Sequence, residues 1–373
     1  MSEVKKEKVP DFYQKALEHA LYMTKINLDR FSCGYPHVSK GGIYQPEANT
    51  LWTSSFYVGL CYLAYEITGE EKFLQNRKFY LEDFYRRIHD GNFFDHDLGF
   101  LYTLSSVADY KLTKDEKSKE LFLYAADKLS ERFHEKGNYI QAWGKMDEKY
   151  PNVKIIIDTM MNLPLLYYSG SEKNKRIAYA HAKTAARYLI RDDFSSYHTY
   201  LMNPETGEGV EGRTHQGYRD ESIWARGQAW AVYGFALSYA YTGDVQFLTI
   251  ARKAAEVFRK NLPKDNVPYW DFTFTDENPD VRDTSAGAIY CCGLLELCGH
   301  VGAEEAASYL KQADCIMQLL YENYRVKDMT EGRGILTEGV YHRNDGAEES
   351  VIWGDYFYME AIIRRLKKWD RYW

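Results

Sequence analysis

Two aspartates occupy matching places in phrases of similar build. Asp97 lies in Phe93-Phe94-Asp95-His96-Asp97-Leu98-Gly99-Phe100-Leu101-Tyr102, and Asp158 in Ile155-Ile156-Ile157-Asp158-Thr159-Met160-Met161-Asn162. Each opens an apolar helical stretch. A pair of carboxyls in unlike settings is the usual acid/base equipment of glycoside chemistry. Three isoleucines precede Asp158, an apolar setting that raises a carboxyl pKa and keeps the group protonated near neutrality. Asp95 and His96 precede Asp97, a more polar setting suited to an ionised partner. The simpler reading is that each aspartate is a helix N-cap, a position this residue favours.

A second concentration of chemistry runs from Ser195-Ser196-Tyr197-His198-Thr199 through Gly212-Arg213-Thr214-His215-Gln216-Gly217 to Trp224-Ala225-Arg226-Gly227-Gln228-Ala229-Trp230. Arg226 at a helix start sets a guanidinium beside free helix N–H groups, an arrangement suited to a carboxylate. Trp230, one turn on, shares its face. Alternatively, Arg226 pairs with a loop acid and Trp230 belongs to the core. Trp52 and Trp143 have faces that fit the apolar side of a pyranose, or equally a core. Tyr341-His342 precedes the last apolar stretch. His198 and His215 lack a zinc spacing such as His-x-x-x-His, so neither a metal nor another cofactor is expected.

These residues need elements to position them. Tyr65-Glu66-Ile67-Thr68-Gly69 and Tyr239-Ala240-Tyr241-Thr242-Gly243 match, each an apolar helix ending at glycine with an acidic residue next. Their separation fits three units of about 58 residues. Apolar stretches near 52–67, 98–112, 157–169, 226–241, 285–300 and 352–367 alternate with amphipathic ones near 11–29, 70–88, 115–134, 172–190, 244–261 and 303–324. This pattern predicts an all-α fold, an (α/α)6 barrel of six helix hairpins in a single domain over residues 1–373. Trp52, Asp97 and Arg226 each lie sixteen residues before the threonine that ends their unit (Thr68, Thr113, Thr242), and Asp158 also begins its inner stretch. All four should therefore meet at one mouth. The segments 89–97, 135–157, 191–225, 262–284 and 325–351 are too long for plain connections and should build a cleft there. Short strands are expected only near Tyr197–Met202 and 268–274.

The net charge of −7 argues against nucleic acid or an anionic membrane as partner, while leaving room for a small anionic substrate held by local arginines. The charged start from Met1 to Pro10 lacks the apolar core of a signal peptide, and no run of about 18 apolar residues exists. A cytoplasmic protein, monomer or weak homodimer, is the expectation. Cysteines 33, 61, 291, 292, 298 and 315 show no ligand spacing and read as reduced core thiols.

Several phrases, in order and with similar spacing over nearly the whole chain, resemble the unsaturated glucuronyl hydrolases of glycoside hydrolase family 88. They are His96-Asp97-Leu98-Gly99-Phe100-Leu101-Tyr102, Ile155–Leu166, Ser196-Tyr197-His198-Thr199, Thr214-His215-Gln216-Gly217, Arg226–Phe235, Tyr269-Trp270-Asp271-Phe272 and Ile352–Tyr358. The resemblance implies a metal-free (α/α)6 barrel acting on lyase-generated oligosaccharides with a C4=C5 unsaturated uronate at the non-reducing end. It implies hydration of that enol ether, with Asp158 as the acid/base and Asp97 as the second essential carboxylate. Arg226 with Gly212, Thr214 and Gln216 would hold the substrate, and His198, His96 and Trp230 would surround the ring. Trp52, Trp143 and Tyr341 would line the next sugar. Acidic residues and Arg343 in the 343–350 loop, with the Arg364–Lys368 run, leave sulfate preference open. Alternatives are an unsaturated rhamnogalacturonyl hydrolase on pectin fragments, an (α/α)6 sugar epimerase leaning on histidine bases, and a non-catalytic binding protein that would tolerate Asp158→Asn.

Overall fold

The computed structural model describes residues 9–91 and 94–373. Residues 1–8, on which the reading of the charged start rests, and Phe93 lie outside the described residues. Helices alternate between an outer and an inner ring. In chain order, α1 (Phe12–Ile26) is outer and α2 (Ser54–Thr68) inner, and α3 (Arg77–His89) is outer. Then α4 (Leu98–Tyr102) and α5 (Ala108–Thr113) share one inner position, before α6 (Glu116–Ser130) outside and the short α7 (Leu163–Tyr168) inside. The outer α8 (Glu172–Tyr188), α10 (Val245–Lys260) and α12 (Ala303–Leu319) alternate with the inner α9 (Ala225–Thr242), α11 (Thr284–Leu297) and α13 (Ile352–Leu366). α13 packs on both α11 and α2, closing the inner ring. The result is an (α/α)6 barrel.

Sequence chemistry sorts the rings. α10 buries one stripe, Phe247, Ile250, Ala251, Ala254, Ala255 and Phe258, and turns its charges outward. α9 is buried over every residue from Ala225 to Ser238, which only an apolar, small-residue sequence permits. The repeat turns match closely. Gly69 and Gly243 cap α2 and α9 at φ 70° and 71°, and their N–H groups donate to Tyr65 and Tyr239 carbonyls at 2.7 Å. After Thr113 the same left-handed site is filled by Lys114 at φ 60°.

Two inner helices depart from the expected continuous form. The stretch 98–112 is interrupted by a π turn, Thr103–Val107. Ser105 and Ser106 hydroxyls donate to the Leu101 and Tyr102 carbonyls at 2.6 and 2.9 Å, competing with the helix ladder. The stretch from residue 157 opens as a 3-10 turn, Ile157–Met161, before α7.

Strands are short and belong to the loops. β1 (Phe133–His134) pairs with β2 (Tyr139–Ile140). β3 (Lys154–Ile156), β4 (Thr199–Met202) and β5 (Gly209–Arg213) form an antiparallel sheet in that order, and β6 (Gly339–His342) pairs with β7 (Asp345–Glu349). The expected strand at 268–274 is reduced to isolated bridges, Tyr269 to Arg282 and Trp224 to Asp271.

The far end of the barrel is closed by Trp373, stacked on Phe357 at 5.7 Å and donating from Nε1 to Glu360 at 2.7 Å. Only the lysines of the Arg364–Lys368 run are exposed. Arg364 bonds Glu360 and Glu296, and Arg365 bonds Asp314, with side chains only 9% and 8% exposed. Standing at the end of α13, these arginines are a whole helix away from the mouth and cannot attract a sulfate there. The core-thiol expectation holds for Cys61, Cys291 and Cys292, whereas Cys33 and Cys315 are exposed. Among the described residues, no helix is long and apolar enough to cross a membrane.

Candidate active site

Each inner helix brings a residue from its N-terminal end to one mouth. These are Trp52 just before α2, Asp97 at the start of α4, Asp158 before α7, Arg226 in α9, Asp283 capping α11 and Trp353 in α13. They touch around the ring. Trp52 and Trp353 rings lie 5.0 Å apart, the Arg226 guanidinium sits over Trp353 at 5.1 Å, and Arg226 Nη1 reaches Asp283 at 3.1 Å. Trp353 Nε1 donates to Ser285 in the first turn of α11 at 3.0 Å.

Neither aspartate is a cap. Asp97 stands at the N-cap of α4 but its side chain makes no capping bond, and Asp158 lies inside the 3-10 turn. Asp97 Oδ1 accepts from Asn162 Nδ2 at 3.3 Å, and Oδ2 lies 3.6 Å from His96 Nε2. Asp158 Oδ2 is buried without a hydrogen-bond partner, 3.8 Å from the equally unpartnered His198 Nε2. Side-chain exposures of 11% for Asp97 and 15% for Asp158 leave each a narrow opening to the mouth.

Burial pushes the Asp158 carboxyl up to about 7, against the lowering pull of Arg226. The Trp230 indole N–H also lowers it, although Nε1 stays outside bonding geometry. Asp97 corrects the sequence-based expectation of an ionised, polar-sited group. Its carboxyl is driven well above the usual range by burial, then by Asp95, then by Asp158. Asp95 is raised by burial as well. Carboxyls this close titrate as a group, so the site keeps an acid in place near neutrality.

The sheet assembles one half of the site. Ile156 pairs with Thr199, and Ile157 N–H donates to the His198 carbonyl at 3.0 Å, which sets His198 beside Asp158. The segment after β5 then folds over His198, whose Nδ1 accepts from the His215 and Gln216 backbone N–H groups at 3.1 Å each. The ring rests on Trp224 at 4.1 Å. Burial, then His215 and Arg226, hold His198 far below the ordinary imidazole value, so it is neutral.

Several expected substrate contacts are spent on the protein. Arg226 is 1% exposed and bonds Asp283 and the Val340 and Tyr341 carbonyls of β6, so the loop-acid alternative describes it. Trp230 is fully buried between Phe100 and Phe357, at ring distances of 5.5 and 5.4 Å, and offers no face to a sugar. Gly212 serves packing, since a Cβ there would lie 2.3 Å from the Tyr197 ring. Thr214 Oγ1 accepts from Gly217 N–H, and Gln216 Nε2 donates to the Tyr341 carbonyl at 2.8 Å. Both support the loop over His198. Arg343 is engaged by Asp280 at 2.8 Å.

What remains at the opening is half-buried: Trp52, Trp143 and Tyr341, with His37 4.8 Å from Tyr341. Trp143 lies 5.8 Å from His96 and 5.3 Å from His215, bridging the two halves of the site. Trp143→Ala is expected to raise KM roughly three- to tenfold with little change in kcat, because a half-buried aromatic face at the opening is lost. Steady-state kinetics checks this. The supports that sequence reading missed are Asn162, Thr159, Asp283, Trp353 and Trp224. Asn162 follows Asp158 by one helical turn, a spacing that could have exposed it. Among the described residues, no group of three or more His, Cys, Asp or Glu side chains is placed to hold a metal ion.

Buried carboxyls at the mouth of a helical barrel, flanked by neutral imidazoles and aromatic walls, define a glycoside hydrolase of the carboxylate type. The family model for Glycosyl Hydrolase Family 88 matches residues 27–368, and the chain belongs to that family. It is 40% identical over 370 residues to an unsaturated chondroitin disaccharide hydrolase of Streptococcus agalactiae, spanning 96% of this chain and 93% of the relative. The crystal structure of an unsaturated glucuronyl hydrolase from Streptococcus agalactiae superposes with a TM-score of 0.93 at 38% identity, covering 100% of both chains. An aspartate-to-asparagine variant of the enzyme from that organism, complexed with dGlcA-GalNAc6S, gives a TM-score of 0.86 at 36% identity, covering 99% of this chain and 96% of that one.

Proposed function

We propose that this chain releases the 4,5-unsaturated uronic acid from the non-reducing end of lyase-generated glycosaminoglycan di- or oligosaccharides. The carrying observation is the pair of uncapped, partly open carboxyls, Asp97 and Asp158, each facing an imidazole Nε2 within 4 Å. The names and bound disaccharide of the relatives support the substrate class.

Asp158 gives its proton to C4 of the enol ether, and the positive charge that develops at C5 is shared with the ring oxygen. The neighbouring Asp97 carboxyl, which shares the site's protons with Asp95 and Asp158, is the group placed to stabilise that cation. The Asp158 carboxylate then takes a proton from water as the oxygen bonds to C5. The C5 hemiketal opens to a ketone, and the hemiacetal left at C1 collapses to an aldehyde and frees the remaining sugar. One water is consumed, and no bond at the anomeric carbon is displaced directly.

The proton donor must be charged with its proton. Turnover is therefore expected to decline as pH rises through about 7, where Asp158 loses it. A kcat that climbs steadily above that point would contradict the assignment. The same reading takes residues 1–373 as one catalytic domain, cytoplasmic, monomeric or weakly dimeric, without nucleic-acid or membrane partners, in keeping with the net charge of −7. The test is a panel of chondroitin, hyaluronan and heparin lyase products, with and without 6-O-sulfate, followed by ultraviolet absorbance of the conjugated uronate. Loss of absorbance on at least one member is expected; no change on any of them overturns the reading.

A further inference from the structure

The amide of Asn162 sits where the two repeats meet. Its Oδ1 accepts from Phe100 N–H, in the first turn of α4, at 2.6 Å. That bond fixes which way the amide faces, because the Phe100 N–H can only donate. Nδ2 then points at three acceptors, each at 3.3 Å: His96 Nδ1, Asp97 Oδ1 and the Asp158 carbonyl. The contact is tight in the backbone too. Gly99 lies against Asn162 so closely that a Cβ would fall 2.3 Å from the Asn162 Cα.

An amide N–H has no lone pair to offer, so it is matched to a His96 Nδ1 that accepts. The Thr159 hydroxyl, 3.1 Å from the same nitrogen, is able to donate to it as well. The ring proton is thereby placed on Nε2, which faces Asp97 Oδ2 at 3.6 Å. Burial, then Arg132 and His181, hold this ring neutral. His198 is built to the same plan by different means. Its Nδ1 accepts from two backbone N–H groups, and its Nε2 faces Asp158.

We propose that Asn162 is a positioning residue that locks His96 as the Nε2–H tautomer, so that this imidazole donates toward Asp97 and takes no proton from the carboxyl group. The inference rests on the hydrolase reading for its consequence and on hydrogen-bond geometry for its content. Both acids of the site then stand beside rings that cannot drain their proton before C4 receives it. The lock also spans the repeats, tying the start of α4 to the turn that carries Asp158.

Asn162→Asp reverses the bond with almost no change of shape. At a pH where the new group is ionised it can only accept from His96, which moves the ring proton to Nδ1 or adds a second one. Proton–nitrogen-15 spectra of the imidazoles report this directly, with His96 assigned by the signals lost in His96→Gln. In the unsubstituted protein, His96 is expected to show a protonated Nε2 and a bare Nδ1 at neutral pH. In Asn162→Asp, protonation at Nδ1 is expected, with kcat lower by about a hundredfold and KM within about threefold. A His96 protonated at Nδ1 in the unsubstituted protein overturns the proposal, as does an Asn162→Asp variant with unchanged tautomer and turnover. The spectrum of the unsubstituted protein needs no substrate. A failure of the hydrolase reading on the oligosaccharide panel is thus told apart from a failure of the lock.

Discussion

Asp158→Asn is expected to cut turnover by about a thousandfold or more while making the protein more stable at pH 8. The first effect follows from the proton transfer: an amide has no proton to give to C4, and removal of general acid–base catalysis costs 10²- to about 10⁴-fold. The second follows from linkage. The Asp158 pKa rises from an ordinary value near 4 to about 7 in the folded chain. Between those values the native state binds more protons than the unfolded one, so the contribution of this group to stability is fully present below about pH 4 and is lost as pH rises through about 7. Asparagine does not titrate. The variant should match the unsubstituted protein near pH 4 and exceed it at pH 8 by on the order of 2–4 kcal/mol. Urea unfolding at both values measures this. A variant that is active and less stable would return Asp158 to the simpler role of a structural turn residue.

Asp283→Leu is expected to be the most destabilising change at the mouth. The carboxyl and the Arg226 guanidinium are 0% and 1% exposed and lie 3.1 Å apart. Asp283 Oδ1 also caps α11, accepting from Ser285 N–H at 3.1 Å and the Ser285 hydroxyl at 2.5 Å. Stranding a buried guanidinium costs about 3–5 kcal/mol, and losing the cap adds about 1 kcal/mol. Arg226 also grips the Val340 and Tyr341 carbonyls, so turnover should fall as the β6 hairpin loosens. Pairing the change with Arg226→Met removes the stranded charge. Most of the stability is expected to return while turnover stays low, because Arg226 no longer holds β6 or acts on Asp158. Denaturation of the single and double variants decides it, and a single-variant loss below about 1 kcal/mol would contradict the buried-pair argument.

The ring of helices was legible because its two layers differ in kind. A stretch such as Ala229–Leu237, apolar on every side, has nowhere to go but inside, whereas the single stripe of Val245–Lys260 marks an outer helix. The Thr-Gly turns then set the phase, and with it the common mouth of Trp52, Asp97, Asp158 and Arg226. The environment of each residue there was less legible, because it is made by residues distant in the chain. Asp97 looks polar beside Asp95 and His96, yet its carboxyl is raised by burial and by Asp158 from the next repeat. Arg226 looks free at a helix start, and its partner Asp283 comes from the following inner helix. Trp230 looks available one turn away, and Phe100 and Phe357 cover it from two other helices. Of the strands at the mouth, Thr199–Met202 was expected, while its two partners escaped notice for a related reason. Gly209-Val210-Glu211-Gly212-Arg213 has no alternation of its own and is a strand because Thr199–Met202 pairs with it.

The central claim is that Asp158 protonates the C4=C5 bond of an unsaturated uronate. It is tested most directly by following the ultraviolet absorbance of an unsaturated chondroitin disaccharide with the unsubstituted protein and with Asp158→Asn at equal concentration. Loss of the absorbance in step with release of the second sugar, and its persistence with Asp158→Asn, is the expected result. Equal loss with both proteins, or sugar release while the absorbance persists, would contradict it.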